Sequence, residues 1–330
     1  MKILLYLLFL LFIPASLVAQ DKTEKSYVLL VSFDGFRHDY VEKYDAENFK
    51  KFIAEGSAAK SLIPSFPSKT FPNHYSIVTG MYPGNHGLVG NIFYDSIRNT
   101  TYSIGNREVV EDPFYYGGTP LWQLTQENGY KSASYFWVGS EAPVKGSYPD
   151  YYYRYNEEIP NKERIEQVMK WLELPEQERP RFISLYFSLV DSEGHATGPD
   201  SGELALSVKE ADFLIGDLME KLKEVDLPVD VIITSDHGMK QVEVKSSIDP
   251  DPILKEVPSE ANIIRDQIIS HVYLPKELVE STYKILKTKE ANFRVYKKEE
   301  MPENLHYNYN YRIGDILLLA DPGYIFNNKS

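Results

Sequence analysis

The stretch Tyr27-Val28-Leu29-Leu30-Val31-Ser32-Phe33-Asp34-Gly35 decides the fold. Tyr27 to Phe33 is apolar but for one serine and does not alternate, which is the pattern of a strand buried on both faces of a parallel sheet. Asp34-Gly35 breaks the run. Two later runs repeat the arrangement: Phe182 to Val190 ends at Asp191, and Val229 to Thr234 is followed by Asp236-His237-Gly238. Between these runs lie amphipathic helices. Ala46 to Glu55 carries Phe49, Phe52 and Ile53 on one face, with Gly56 as a stop. Glu203 to Val225 carries Leu204, Val208, Ala211, Ile215, Leu218 and Leu222.

Further signals extend the alternation. Pro72 to Thr79 reads as a short helix stopped by Gly80. Thr119 as N-cap and Pro120 in the first turn open a helix that Gly129 ends. Lys131 to Phe136 reads as a strand, and Asn161 caps a helix bearing Ile165, Val168, Met169 and Leu172. Lys276 to Lys287 reads as a helix and Ile316 to Ala320 as a strand. Residues 81–118 and 137–160 read as loops. The expected fold is α/β, a mostly parallel central sheet with helices on both faces. Ligands gather at the carboxyl ends of the strands in such sheets, the edge where Asp34, Asp191 and Asp236 fall.

The 330 residues suffice for one large α/β domain. The net charge of −13 argues against a nucleic-acid duplex as partner, which calls for a basic face. A small anionic substrate remains compatible if bound cations supply the positive charge. Residues 1–19 read as a secretory signal: Lys2, an apolar core from Ile3 to Ile13, and small residues from Ala15 to Ala19. The apolar run falls short of the ~20 residues a membrane span needs, so a cleaved signal is favoured over an anchor helix. A secreted or periplasmic setting follows. With no cysteine, such a protein has no disulfides to stabilise it.

The chemistry centres on Ser68-Lys69-Thr70-Phe71-Pro72-Asn73-His74-Tyr75. Thr70 lies at the start of a predicted helix, where free backbone N–H groups favour a phosphate; the plain alternative is an N-cap. A threonine hydroxyl needs a metal or base to become a nucleophile. A metal held by Asp34, Asp236 and His237 would supply this. A second, held by Asp191 and His195, would sit ~4 Å away and bind a phosphoryl oxygen. Asp191-Ser-Glu-Gly-His195 is expected as a five-residue loop, equally readable as a solvated turn. Asp34 and Asp236-His237 have plain readings as turn and loop residues. Asn91 offers an uncharged amide to a phosphoryl oxygen or is simply a turn residue. Phe71, Trp137 and Tyr155 are candidates for stacking on a nucleobase, at ~1–3 kcal/mol per stack, or are ordinary packing aromatics.

Taken together, the motifs resemble the nucleotide pyrophosphatase/phosphodiesterase family of the alkaline phosphatase superfamily. The resemblance rests on Val31-Ser-Phe-Asp34-Gly-Phe-Arg37, Lys69-Thr70-Phe-Pro-Asn-His74, Gly87-Leu-Val-Gly-Asn91, Gly117-Gly-Thr-Pro-Leu-Trp122, Phe136-Trp-Val-Gly-Ser140, Asp191-Ser-Glu-Gly-His195 and Thr234-Ser-Asp-His-Gly-Met239. Leu305-His-Tyr307 and Arg312-Ile-Gly-Asp315 extend it. It implies an alkaline-phosphatase-like fold, two zinc ions and a phospho-threonine intermediate at Thr70. Asp34, Thr70, Asp236 and His237 would serve one zinc, Asp191 and His195 the other. Asn91 would bind the phosphoryl oxygen. Phe71 and Tyr155 would sandwich the base, and Glu141 stands where some members carry an aspartate. The family's second zinc takes a further histidine from a Gly-x-His-Gly segment that this sequence lacks. The resemblance therefore implies that residues 20–330 are a phosphodiesterase catalytic domain without its C-terminal end.

The expected function is zinc-dependent hydrolysis of phosphodiester or pyrophosphate bonds in nucleotides. One alternative is a phosphodiesterase acting on choline phospholipids or glycerophosphodiesters, with Trp137, Tyr151, Tyr152, Tyr153 and Tyr155 caging a quaternary ammonium. Another is a non-catalytic metal or nucleotide binder. No oligomeric state is legible.

Overall fold

The computed structural model describes residues 26–327, so the signal reading of residues 1–19 lies outside the described residues. In chain order the strands are β1 (Tyr27–Phe33), the hairpin β2 (Ile92–Asp95) and β3 (Thr100–Ser103), β4 (Lys131–Tyr135), β5 (Tyr151–Tyr153), β6 (Pro180–Phe187) and β7 (Val229–Thr234). Then follow β8 (Ser247–Ile248), β9 (Asn262–Ile264), β10 (Ile269–Tyr273), β11 (Phe293–Lys297), β12 (Ile316–Ala320) and β13 (Ile325–Phe326).

The central sheet is parallel with the order β5-β4-β6-β1-β7. β1 lies between β6 and β7, and Leu29, Val31 and Phe33 are buried, which is why its sequence shows no polar face. In register, Phe33 faces Phe187 and Ser32 faces Thr234. The three strands thus finish side by side. The rings of Phe33 and Phe187 stack 4.9 Å apart. The helices Glu47–Glu55, Thr70–Thr79, Asn161–Leu172 and Gly202–Leu222 connect the strands, and one apolar core joins helices and sheet.

Several expectations shift at element ends. Thr119 does not cap the following helix: Pro120 occupies the cap position of Leu121–Glu127. Pro160 takes that position for Asn161–Leu172, with Asn161 the first helical residue. The strand expected to run to Val190 stops at Phe187, and the helix Leu189–Thr197 begins at once. The segment 81–118 holds the antiparallel hairpin β2–β3 and short helices. β5 arises inside the expected loop 137–160. Beyond β7, a second sheet in the order β11-β12-β10-β9 encloses its own apolar cluster around Val272, Phe293, Val295 and Ile316. Arg312 ties this sheet to the main body. Its Nε donates to Asp95 Oδ2 at 2.8 Å, and its other nitrogens donate to the carbonyls of Gly87, Tyr115 and Phe114.

Candidate active site

Three strand ends supply the acidic groups. Asp34 follows β1 directly, and its backbone N–H donates to the Phe187 carbonyl at 2.8 Å. Asp236 follows β7 after one intervening serine. Asp191 sits in the first turn of the helix that follows β6. Ligand atoms of Asp34, Asp236 and His237 lie within 4.8 Å of one another. His237 Nε2 is 3.1 Å from Asp236 Oδ2 and 3.5 Å from Asp34 Oδ1. Gly35 brings Asp191 into the group: it adopts φ +67°, and a Cβ there would lie 3.0 Å from the Cα, Cβ and Oδ1 of Asp191.

Asp191 and His195 are helical rather than part of a loop, and the helix puts them on one face, one turn apart. Their side chains approach to 3.6 Å. Gly194 is small because Met239 passes over it; a Cβ would lie 2.8 Å from the Met239 sulfur.

Thr70 is the first residue of the helix Thr70–Thr79, with Lys69 in the cap position. Its hydroxyl is therefore not spent as an N-cap and instead lies 3.4 Å from His237 Nε2. Two residues of the same helix fix its approach. Asn73 accepts from Ser65 N–H at 2.7 Å and donates to the carbonyls of Ser65, Pro67 and Lys69, stapling the loop before Thr70. His74, fully buried, has Nδ1 3.0 Å from the Thr70 carbonyl and 3.3 Å from Asp236 Oδ2, and Nε2 2.9 Å from Ser32 Oγ. The Thr70 carbonyl can only accept, so Nδ1 carries the proton and Ser32 donates to Nε2.

The electrostatics are unbalanced without a cation. Asp34 Oδ1, Asp191 Oδ1 and Asp236 Oδ2 are buried with no hydrogen-bond partner, an arrangement native proteins rarely tolerate. Burial, with Asp236 and Asp191 close by, pushes the Asp34 carboxyl well above the usual carboxylate range. Burial also raises Asp191, against the pull of His195. Burial acts upward on Asp236 too, but His74, His237 and the Gly35 N–H outweigh it and bring it to about 2. Carboxylate oxygens with no donor beside imidazole nitrogens are the donor set that zinc and similar divalent ions take. The residues present therefore fit a metal centre.

The remaining candidates separate. Asn91 Oδ1 accepts from the Phe71 N–H at 3.0 Å, so the amide is anchored beside Thr70 with its Nδ2 end as donor. Phe71 is half-buried, 6.4 Å edge-on to Tyr102. Tyr155 is exposed, its ring 5.2 Å from Phe136 and 6.2 Å from Tyr186. Trp137 is a core residue instead of a stacking surface: it is fully buried, and its indole N–H donates to the His74 carbonyl at 3.0 Å. The tyrosines of β5 form no common cage. Tyr153 stacks on Tyr135 at 4.6 Å and Tyr151 leans on Trp171, whereas Tyr152 stacks on Tyr148 at 4.8 Å. Alternation along the strand sends them to opposite faces. Glu141 is buried and paired with Arg107. Arg37 is held by Asp39, Asp200 and the Met239 carbonyl.

Sequence reasoning missed the supports of this centre. His74 carried one signal, its spacing of four from Thr70 on a helix. Tyr186, whose phenol donates to Asp34 Oδ2 at 2.6 Å, carried none.

The sequence model of the Type I phosphodiesterase / nucleotide pyrophosphatase family matches residues 28–330. A venom phosphodiesterase of Macrovipera lebetinus is 38% identical over 311 residues, covering 90% of this chain and 36% of that protein. The human ectonucleotide pyrophosphatase/phosphodiesterase family member 5 is 35% identical over 311 residues, covering 93% and 64%. The chain thus spans about a third to two thirds of the length of these relatives. Among solved structures, murine ectonucleotide pyrophosphatase/phosphodiesterase 5 superposes with a TM-score of 0.86 at 33% identity, over 92% of this chain and 82% of that one. An inactive threonine-to-alanine form of the murine protein, in complex with AMP, gives the same TM-score of 0.86 at 32% identity, over 92% and 81%. The extent of these matches shows that the chain belongs to the Type I phosphodiesterase / nucleotide pyrophosphatase family.

Proposed function

We propose that residues 20–330 form a catalytic domain that hydrolyses phosphodiester or pyrophosphate bonds in nucleotides, with zinc as cofactor and Thr70 as nucleophile. The observation that carries this reading is the Thr70 hydroxyl lying 3.4 Å from His237 Nε2, beside buried carboxylate oxygens that no hydrogen bond satisfies. The murine relative that binds AMP and is inactivated by loss of a threonine supports it.

Asp34, Asp236 and His237, with Thr70, would hold one zinc; Asp191 and His195 would hold a second. When bound, the cations neutralise the acidic cluster and lower the pKa of adjacent hydroxyl groups. Thr70 Oγ1 attacks phosphorus as the bond to the leaving group breaks, its proton passing to the departing oxygen, and a phosphothreonine remains. Water then attacks the same phosphorus, the bond from phosphorus to Oγ1 breaks to release the phosphoryl product, and a proton from that water returns to Thr70. Asn91 donates from Nδ2 to a phosphoryl oxygen, and Phe71 and Tyr155 take the base between them. Arg37 is committed to Asp39 and Asp200, which leaves no role for it on a third charged oxygen and favours diesters over monoesters. A choline-phosphate substrate is disfavoured by the scattering of the β5 tyrosines and the burial of Trp137.

Secretion or export to the periplasm fits the reading of residues 1–19. No helix among the described residues is long and apolar enough to cross a membrane. Replacing Thr70 by Ala tests the mechanism. Turnover of a p-nitrophenyl nucleoside phosphate is expected to fall by more than about 10³-fold, since removal of a nucleophile takes most of the catalysis with it. Undiminished turnover would rule out Thr70 as nucleophile, and absence of turnover in the wild type under zinc saturation would favour a binder.

A further inference from the structure

We infer that Tyr186 is the positioning residue of the metal centre: its phenol fixes which oxygen of Asp34 is offered to the cation. A carboxylate can rotate and bind through either oxygen or both. Here Oδ2 accepts the Tyr186 O–H at 2.6 Å, while Oδ1 has no hydrogen-bond partner and lies 3.5 Å from His237 Nε2. The phenol thus occupies one oxygen and leaves the other as a single, directed ligand atom.

Tyr186 is itself held in place. It stands near the end of β6, in register with Ser32 of β1, and is buried. Its carbonyl accepts from Arg164 Nη1 at 3.0 Å, and Arg164 is only 2% exposed. Its ring meets His74 edge-on at 5.1 Å and Tyr155 at 6.2 Å. One residue therefore touches a candidate zinc ligand, the imidazole that binds the Thr70 carbonyl, and a ring assigned to the base. Groups that hydrogen-bond to metal ligands typically carry a 10–100-fold effect on affinity or activity.

The inference rests on the zinc reading, so the test separates the two. Zinc uptake is measured on the full chain by competition with a chromophoric chelator, for wild type, Tyr186→Phe and Tyr186→Leu. Tyr186→Phe keeps the ring and its packing and removes only the donor. It is expected to weaken zinc binding at the site of Asp34, Asp236 and His237 by roughly 10–100-fold. At saturating zinc it is expected to lower kcat with little change in KM, since the surface for the base is intact. Tyr186→Leu is expected to add a rise in KM. Zinc affinity of Tyr186→Phe equal to wild type would overturn the inference and leave the zinc reading standing. A fall in the Tm of metal-free Tyr186→Phe that accounts for the lost affinity would mark a packing role and also overturn it. A wild type that takes up no zinc would end both.

Discussion

At the scale of single residues, legibility followed the backbone. Asp34, Asp236 and His237 were readable because each stands just past a strand, and parallel strands deliver their ends to one edge. Thr70 was readable as the opening of a helix, although its standing as first helical residue rather than cap needed coordinates. Trp137 was misjudged because an aromatic beside a motif gives no sign of which way it faces; here the His74 carbonyl draws its N–H inward. Asn91 yields a prediction at this scale. With Oδ1 occupied by the Phe71 N–H, only the Nδ2 donor is left for the phosphoryl oxygen in the proposed mechanism. Asn91→Ala is expected to lower kcat by about 10²–10³-fold, the loss typical of one such donor, with zinc stoichiometry unchanged. Steady-state kinetics beside a metal assay checks both.

At the scale of elements, the alternation of strands and helices was legible, and the points of failure have physical causes. Leu189 and Val190 prolong the apolar run of β6, so nothing in the sequence marks the turn at Ser188 into a helix. The helix matters: it sets Asp191 and His195 one turn apart, on the same side. β5 was lost because three tyrosines in a row give no period. The second sheet was lost because its strands are short and pair antiparallel over distant sequence. From the helix Leu189–Thr197 comes a prediction about loading. Calorimetric zinc titration of this chain should resolve a tighter event at Asp34, Asp236 and His237 and a weaker one at Asp191 and His195, which offer only two side chains where zinc sites ordinarily use three or more. His195→Ala should remove the weaker event alone; loss of the tighter one would contradict the assignment.

At the scale of the whole molecule, two buried histidines outside the candidate ligand set tie stability to pH. His86 accepts the Leu88 N–H at Nδ1 and faces Ser76 Oγ at Nε2. His271 accepts the Gly314 N–H at Nδ1, which joins β10 to the turn before β12. Burial pushes their pKa values down from an ordinary 6.5 to about 3 and about 4. From pH 6.5 down to those values the unfolded chain binds more protons than the folded one, so stability falls as the solution is acidified and is unaffected by these groups above that range. Each contributes a slope of up to about 1.4 kcal/mol per pH unit. Denaturant midpoints measured at pH 7 and pH 5 should differ more for the wild type than for His271→Gln, which keeps a neutral side chain; equal shifts would contradict this.

The staple that Asn73 makes across Ser65, Pro67 and Lys69 reaches beyond stability. It means the placement of the Thr70 hydroxyl is set by an amide one turn further along, outside the candidate ligand set. A related protein could keep every ligand, gather its ions normally and still be inert, simply because that asparagine had changed. Judging competence from coordinating side chains alone would pass such a protein as an enzyme.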